Sequence, residues 1–223
     1  FHHSKRRKGI GTLQNTYIIG LSPEPPPFDG SAWPGEIAKI ACYPWGGDYR
    51  PPARAQLLWD QESLYLRLEA VERADYLRAA EPPSVTTRAY QDSCLEFFFR
   101  PNPANPAYLN LEFTPQGALL AGRGPGRQNR ESLPSATPAF LQTKAFRQET
   151  EPGAVQWGIC AAIPLAFLQD AFGSVLRPGV SVTGNFYKCG DLTKMPHYGA
   201  WNPIQTDRPD FHRPEDFGGL VLG

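Results

Sequence analysis

The stretch NFYKCGDLTKMPHYGAW, Asn185 to Trp201, gathers most of the residue types that do chemistry in proteins. Cys189, Asp191 and His197 could form a nucleophilic or metal-binding set. Met195 with His197 or Lys188 could ligate a haem iron. Tyr198 and Trp201 could stack on a flat ligand. A cysteine nucleophile needs a base fixed by a third group, and nothing in the spacing brings the three together. Zinc wants a fourth ligand at a regular spacing, and the chain holds no CxxC or CxxCH. Haem ligation stays as an alternative. Stacking by Tyr198 and Trp201 fits the residue types better, with Trp201 packed in the core as the plain alternative.

A second constellation lies upstream. In SCLEFFFR, Leu95, Phe97 and Phe99 alternate with Cys94, Glu96 and Phe98. In YLNLEFT, Leu109, Leu111 and Phe113 alternate with Tyr108, Asn110 and Glu112. If the two strands pair, Glu96, Asn110 and Glu112 converge on the face away from the core. Carboxylates and amides bond hydroxyls in fixed directions, and aromatic rings cover the C–H face of a sugar. Such a face can hold a saccharide. It can also be the solvated side of an antiparallel sheet. Glycoside hydrolysis by two carboxylates is a further alternative, with Asp92, Glu96, Glu112, Asp191, Asp210, Glu215 and Asp216 available and no pair singled out.

The elements that must position these groups are short strands. The chain of 223 residues carries 24 prolines and 21 glycines, which punctuate it throughout and leave no room for long helices. QLLWD, a turn at Asp60–Ser63 and the alternating SLYLRLEAVE predict a hairpin with Leu64, Leu66, Leu68 and Ala70 on one face. AFLQTKAFRQE and AVQWGICAAIP predict another antiparallel pair. YPWGGDYRPPARA and GRGPGRQNRESLPSATP, the latter with three arginines, predict loops. VSVTGNFYKCG and FGGLVLG predict strands near the end. Only PLAFLQDAFG predicts a helix, about two turns long with Pro164 at its first position. The fold class is all-β, an antiparallel β-sandwich with one short helix. A basic and proline-rich tail occupies residues 1–27 and the sandwich residues 28–223.

Composition narrows the function. Apolar residues make up 41%, enough for a core. The 22 basic and 22 acidic residues balance, but Lys5, Arg6, Arg7 and Lys8 form a basic knot, and without it acids are in slight excess. Such a body has no electrostatic footprint for nucleic acid. No apolar run is long enough to span a membrane. Gly9–Leu21 holds Thr12, Gln14, Asn15 and Thr16 and is a poor signal-peptide core, so the compartment, cytoplasmic or secreted, stays open. Cys42, Cys94, Cys160 and Cys189 are too few for a disulfide scaffold in a chain this long.

YQDSCLEFFFR, YLNLEF, NFYKCGD, HYGAWNPI and PDFHRPEDFGGLVL together resemble the family 9-like carbohydrate-binding modules, and YPWGGDYRPPARAQLLWDQESLYLRLEAVE resembles their early strands. The likeness covers roughly residues 28–223. It implies a jelly-roll-like, DOMON-like sandwich that binds a mono- or oligosaccharide without hydrolysing it, in carbohydrate catabolism and on xylan or cellulose. It places one aromatic wall of a sugar slot at Tyr90 and the other at Trp201. Polar contacts fall at Glu96, Asn110 and Glu112, and Tyr198 adds to the ligand surface. The resemblance implies no cofactor for binding, but it does imply structural calcium, whose ligands it does not assign; Asp29 and Asp60 are weak candidates. The wall at Tyr90 departs from the tryptophan of the family's best-known members.

Overall fold

A computed structural model describes residues 14–223; the basic knot at Lys5–Lys8 lies outside them. In chain order the strands are β1 (Thr16–Leu21), β2 (Ala38–Ile40), β3 (Cys42–Gly46), β4 (Ala53–Trp59), β5 (Ser63–Arg73), β6 (Cys94–Arg100) and β7 (Tyr108–Phe113). After them come β8 (Leu119–Gly124), β9 (Glu131–Ser132), β10 (Lys144–Glu151), β11 (Ala154–Pro164), β12 (Ser181–Cys189), β13 (His197–Ala200) and β14 (Gly218–Leu222). The helix α1 spans Leu165–Phe172.

The strands form two layers. One runs β10-β11-β5-β4, with β2 against β4. The other runs β14-β12-β6-β7-β8-β9, with β13 on β12 and β3 on β13. Strand β1 joins them: Thr16–Ile19 pair in parallel with β14, and Gly20–Leu21 pair in parallel with β4. The alternation read from the sequence sets what faces inward. Leu64, Leu66, Leu68 and Ala70 of β5 meet Leu95, Phe97 and Phe99 of β6 and Leu109, Leu111 and Phe113 of β7 in one buried core. The β4–β5 hairpin and the β10–β11 pair form as expected.

Several expectations need correction. The sheet is mixed rather than wholly antiparallel, because β1 pairs in parallel on both sides. Residues 1–27 are not all tail: β1 is a structural strand, with Tyr17 and Ile19 in the core. The proline-rich lead-in lies over the outer face of the first layer. Phe28 and Trp33 pack there on Leu58, Tyr65, Cys160 and Ala162, and Arg67 donates to the Gly30 carbonyl at 2.9 Å. Strands β3 and β13 occupy segments read as loops. They escaped the pattern because each is short and carries proline or glycine. Pro164 is the residue before α1 rather than its first residue, and Gly173 ends the helix in the left-handed conformation, φ 65°.

The two layers are also tied by charge. Lys188 of β12 and Glu72 of β5 form an ion pair of 3.0 Å with both side chains fully buried. Lys188 spends its other two protons on the Cys189 carbonyl at 2.9 Å and on His197 Nε2 at 2.7 Å. His197 Nδ1 then donates to the Met195 carbonyl at 2.8 Å. Glu72 also accepts from Trp157 Nε1 at 2.9 Å and from Ser93 Oγ at 3.1 Å. Burial alone would raise the Glu72 carboxyl, but Lys188, His197 and these donors hold it below the usual range. Burial, with the Lys188 charge beside it, pushes His197 down to about 4, so the imidazole is neutral and accepts.

Breaking a buried pair from one side leaves an uncompensated charge. Lys188→Met is expected to lower stability by about 3–5 kcal/mol in urea denaturation. The double variant Lys188→Met with Glu72→Gln should recover part of that loss. A double variant no more stable than Lys188→Met would show that the pair does not carry the coupling.

Candidate functional site

The face of β6 and β7 turned away from the core is not solvated. Cys94, Phe98, Tyr108, Tyr187 and Cys189 form a second apolar cluster there, roofed by Ile204, Phe211 and Phe217 of the C-terminal segment. Glu96, Asn110 and Glu112 lie on this face and are almost wholly buried. The β6–β7 register puts Glu96 opposite Glu112 and Phe98 opposite Asn110, so the convergence expected from the alternation is present.

These residues floor a cleft of about 670 Å³. Its rim is drawn from four segments: Val85–Tyr90, the arginine-bearing loop after β8, Asp191 with Tyr198, and Pro209–His212. Backbone bonds clip two of them together, Asp191 N to the Tyr90 carbonyl at 3.0 Å and Leu192 N to the Gln91 carbonyl at 3.1 Å. Tyr90 is 38% exposed and lines the cleft. Gly122, opposite Asn110 on β8, leaves the room that amide needs; a Cβ there would stand 2.9 Å from Asn110 Oδ1.

Polar contacts on the floor are directional. Asn110 Nδ2 donates to Glu112 Oε1 at 3.0 Å, while Arg130 donates to Asn110 Oδ1 and lies over the Tyr108 ring, 4.4 Å from its centroid. Tyr108 Oη bonds His212 Nδ1 at 2.7 Å. Glu112 Oε2 is buried with no partner. Burial raises the Glu112 carboxyl to about 7, against the pull of Asn110 and Arg130. Glu96 is pushed well above the ordinary carboxylate range, first by burial and then by Cys189 and Glu112 beside it. His212 is driven down to about 3 by burial and by Arg130 and Arg127, so it is neutral.

Of the six expected site residues, Tyr90, Glu96, Asn110, Glu112 and Tyr198 line the cleft. Trp201 does not, and its expected place as a slot wall is corrected. It is 8% exposed and sits in the inter-layer core, edge-on to Tyr17 and Phe186, with ring centroids 6.4 and 5.5 Å away. Trp201 follows β13, and its backbone N–H bonds the Phe186 carbonyl, which fixes it on the core side of β12. Arg130, His212 and Phe211 also line the cleft and were missed. The three arginines of the 122–138 loop were a visible signal for the first. The other two lie in PDFHRPEDFGGLVL, a motif of the family likeness that gave neither a role, because their segment is brought to the cleft by tertiary contact.

The haem alternative fails on geometry: Lys188 and His197 bond each other inside the protein and have no free lone pair to offer iron. Most of the acids considered for hydrolysis are occupied elsewhere. Asp92 accepts from the backbone of Ala80 and Glu81, Asp210 bonds Arg127, and Glu215 and Asp216 pair with Arg213. Asp29 and Asp60, the candidates for calcium, spend their carboxylates on local turns, bonding Ser31 in one case and Glu62, Ser63 and Tyr65 in the other.

Comparison with known proteins adds a family. The model described as carbohydrate-binding family 9 matches residues 36–222. A crystal structure of a candidate carbohydrate-binding protein from Bacteroides uniformis superposes with a TM-score of 0.72 at 25% identity, covering 94% of this chain and 100% of that one. A carbohydrate-binding module of family 9 from Caldicellulosiruptor kristjanssonii, in complex with cellotriose, gives 0.59 at 13% identity over 93% of each chain. The module from that organism in complex with glucose gives 0.55 at 14%, over 94% of this chain and 96% of that one. At those two identities the likeness is one of fold. The comparison with curated proteins gives no match.

Placement of Trp201 in the core has a direct consequence. Trp201→Ala is expected to cost about 3–5 kcal/mol of stability, as other large aromatic truncations in cores do. Thermal or urea unfolding within about 1 kcal/mol of the parent would put the ring outside the core.

Proposed function

The chain belongs to carbohydrate-binding family 9, and from that premise we propose that it is a non-catalytic binder of a mono- or short oligosaccharide, seated in the cleft over β6 and β7. The observation that carries this reading is Glu112 Oε2, an acceptor buried at the cleft floor with no partner. A buried acceptor left unmet costs about 1–3 kcal/mol, and a ligand hydroxyl would meet it. Asn110, held by Arg130 on one side and Glu112 on the other, fixes the direction of that contact. Tyr90 supplies an exposed ring for the C–H face of a sugar, and Tyr198 a second ring on the rim. Glu96 lies beside Glu112 and completes the carboxyl floor.

Binding without hydrolysis follows from the matched family, which is described as carbohydrate-binding. In this reading binding needs no cofactor. Glucose and the ends of cello- or xylo-oligosaccharides are the first ligands to try, since solved family modules hold glucose and cellotriose. A role in carbohydrate catabolism goes with those ligands.

Calorimetric titration with glucose, cellotriose and xylotriose tests the proposal. A dissociation constant of roughly 10 µM to 1 mM is expected, because a small polar ligand exchanges water bonds for protein bonds. Tyr90→Ala and Glu112→Gln should each weaken binding by about tenfold or more, near 1.4 kcal/mol. No binding by any of the three sugars, or unchanged affinity in Glu112→Gln, would overturn it.

A pH series adds a separate check. A carboxylate accepts a hydroxyl proton better than a carboxylic acid does. Free Glu112 ionises at about 7, so the competent form is lost as pH falls through that value. Affinity should rise between pH 6 and pH 8 and level off above. A flat profile would remove Glu112 as the acceptor.

A further inference from the structure

Cys94, Glu96 and Cys189 form a cluster whose side-chain donor atoms all lie within 4.8 Å of one another. The ladder explains why. Cys94 and Cys189 are direct register partners on β6 and β12, and Glu96 follows Cys94 by two residues on the same face. Cys189 Sγ is 3.0 Å from Glu96 Oε1. Around a tetrahedral zinc ion, sulfur and oxygen ligands stand about 3.4–3.8 Å apart, so small side-chain rotations would seat all three on one ion.

The charge around the cluster points the same way. Two acidic groups act on it, Glu112 across the β6–β7 ladder and Asp191 on the rim. Lys188, next in sequence to Cys189, points to the other side of β12 and is spent on Glu72. Arg127 and Arg130 are spent on Asp210 and Asn110. The cluster is two thiols and a carboxyl held above their ordinary ranges: burial raises Glu96 and pushes Cys94 up to about 12, while Cys189 is raised first by its bond to Cys94 and then by burial. Two thiols against one carboxyl is a donor set for a thiophilic ion and not for calcium. Access is open, since Glu96 and Cys189 line the cleft floor.

We propose that Cys94, Cys189 and Glu96 bind a thiophilic divalent cation such as zinc at the floor of the cleft, with the fourth position turned toward the opening. On binding, the two thiols and the carboxyl release three protons in all, the thiolates and carboxylate bond the ion, and the site carries one net negative charge. Water fills the fourth position. The proposal rests on the donor geometry and not on the carbohydrate reading.

The experiment is titration of the full chain with cobalt(II) and zinc under an inert atmosphere, with no sugar present. One equivalent of cobalt should give thiolate-to-metal charge-transfer absorption, which zinc then bleaches. Loss of outer-shell partners alone weakens metal sites by about 10–100-fold, so loss of a ligand in Cys189→Ser should weaken binding by roughly 100-fold or more. Cys42→Ser, at a cysteine outside the cluster, should leave it unchanged. X-ray absorption of the zinc-loaded parent needs no variant and should show two sulfur ligands. No charge-transfer band in the parent, a zinc shell of oxygen and nitrogen alone, or full affinity in Cys189→Ser would each overturn the site. None of these outcomes bears on whether the cleft holds a sugar.

Discussion

The buried pair of Lys188 and Glu72 is the constraint on which the rest of the molecule depends. It is an ion pair placed where an apolar contact would ordinarily serve, between the two layers. All three ammonium protons are used, and Glu72 accepts from Trp157 and Ser93 besides. Such a pair adds little net stability over apolar residues of the same volume. What it adds is register. A slip of β12 by one residue would turn Lys188 toward the cleft and Cys189 toward the core. With Lys188 held inward, Tyr187 and Cys189 must face outward, beside Glu96.

From that register the cleft follows. Strands β12, β6 and β7 share an outer face bearing aromatic, thiol and carboxyl groups. The C-terminal segment folds over it instead of leaving it to water. Roofing that face buries polar groups, and burial is what sets their chemistry. Glu96 and Glu112 are driven toward the neutral form and His212 is kept from charging. On the cleft floor Glu112 Oε2 is left without a partner. A folded protein keeps such an atom at a cost, and here it lies where a ligand can reach it.

Much of this was legible along the chain. Alternation in SLYLRLEAVE, SCLEFFFR and YLNLEFT is strong because each strand packs one side against a single core, and it placed Leu64, Phe97, Leu111, Glu96, Asn110 and Glu112 on their correct faces. Tyr90 was legible only through the family resemblance, whereas Tyr198 was legible from its residue type as well. Strands β1, β3 and β13 were not legible. Their residues carry no clean alternation, since β1 changes partners midway and the other two are short pieces stabilised by neighbours. Trp201 was misplaced for a related reason: a tryptophan in a loop can face ligand or core, and only the Phe186 backbone bond decides which.

The sequence by itself determined the all-β class, the hairpins, the inward set of each long strand and the family. Those follow from period-two patterning and from motifs read within a few residues of one another. The tertiary structure alone decided which strands became neighbours and what covered their outer faces. Cys94 and Cys189 stand opposite each other although far apart in the chain, and His212 and Phe211 reach the cleft from the chain's last segment. The physical reason is that a strand's two faces are equivalent to its own sequence. Burial of the second face, and every pKa that burial sets, exists only once distant segments have packed against it.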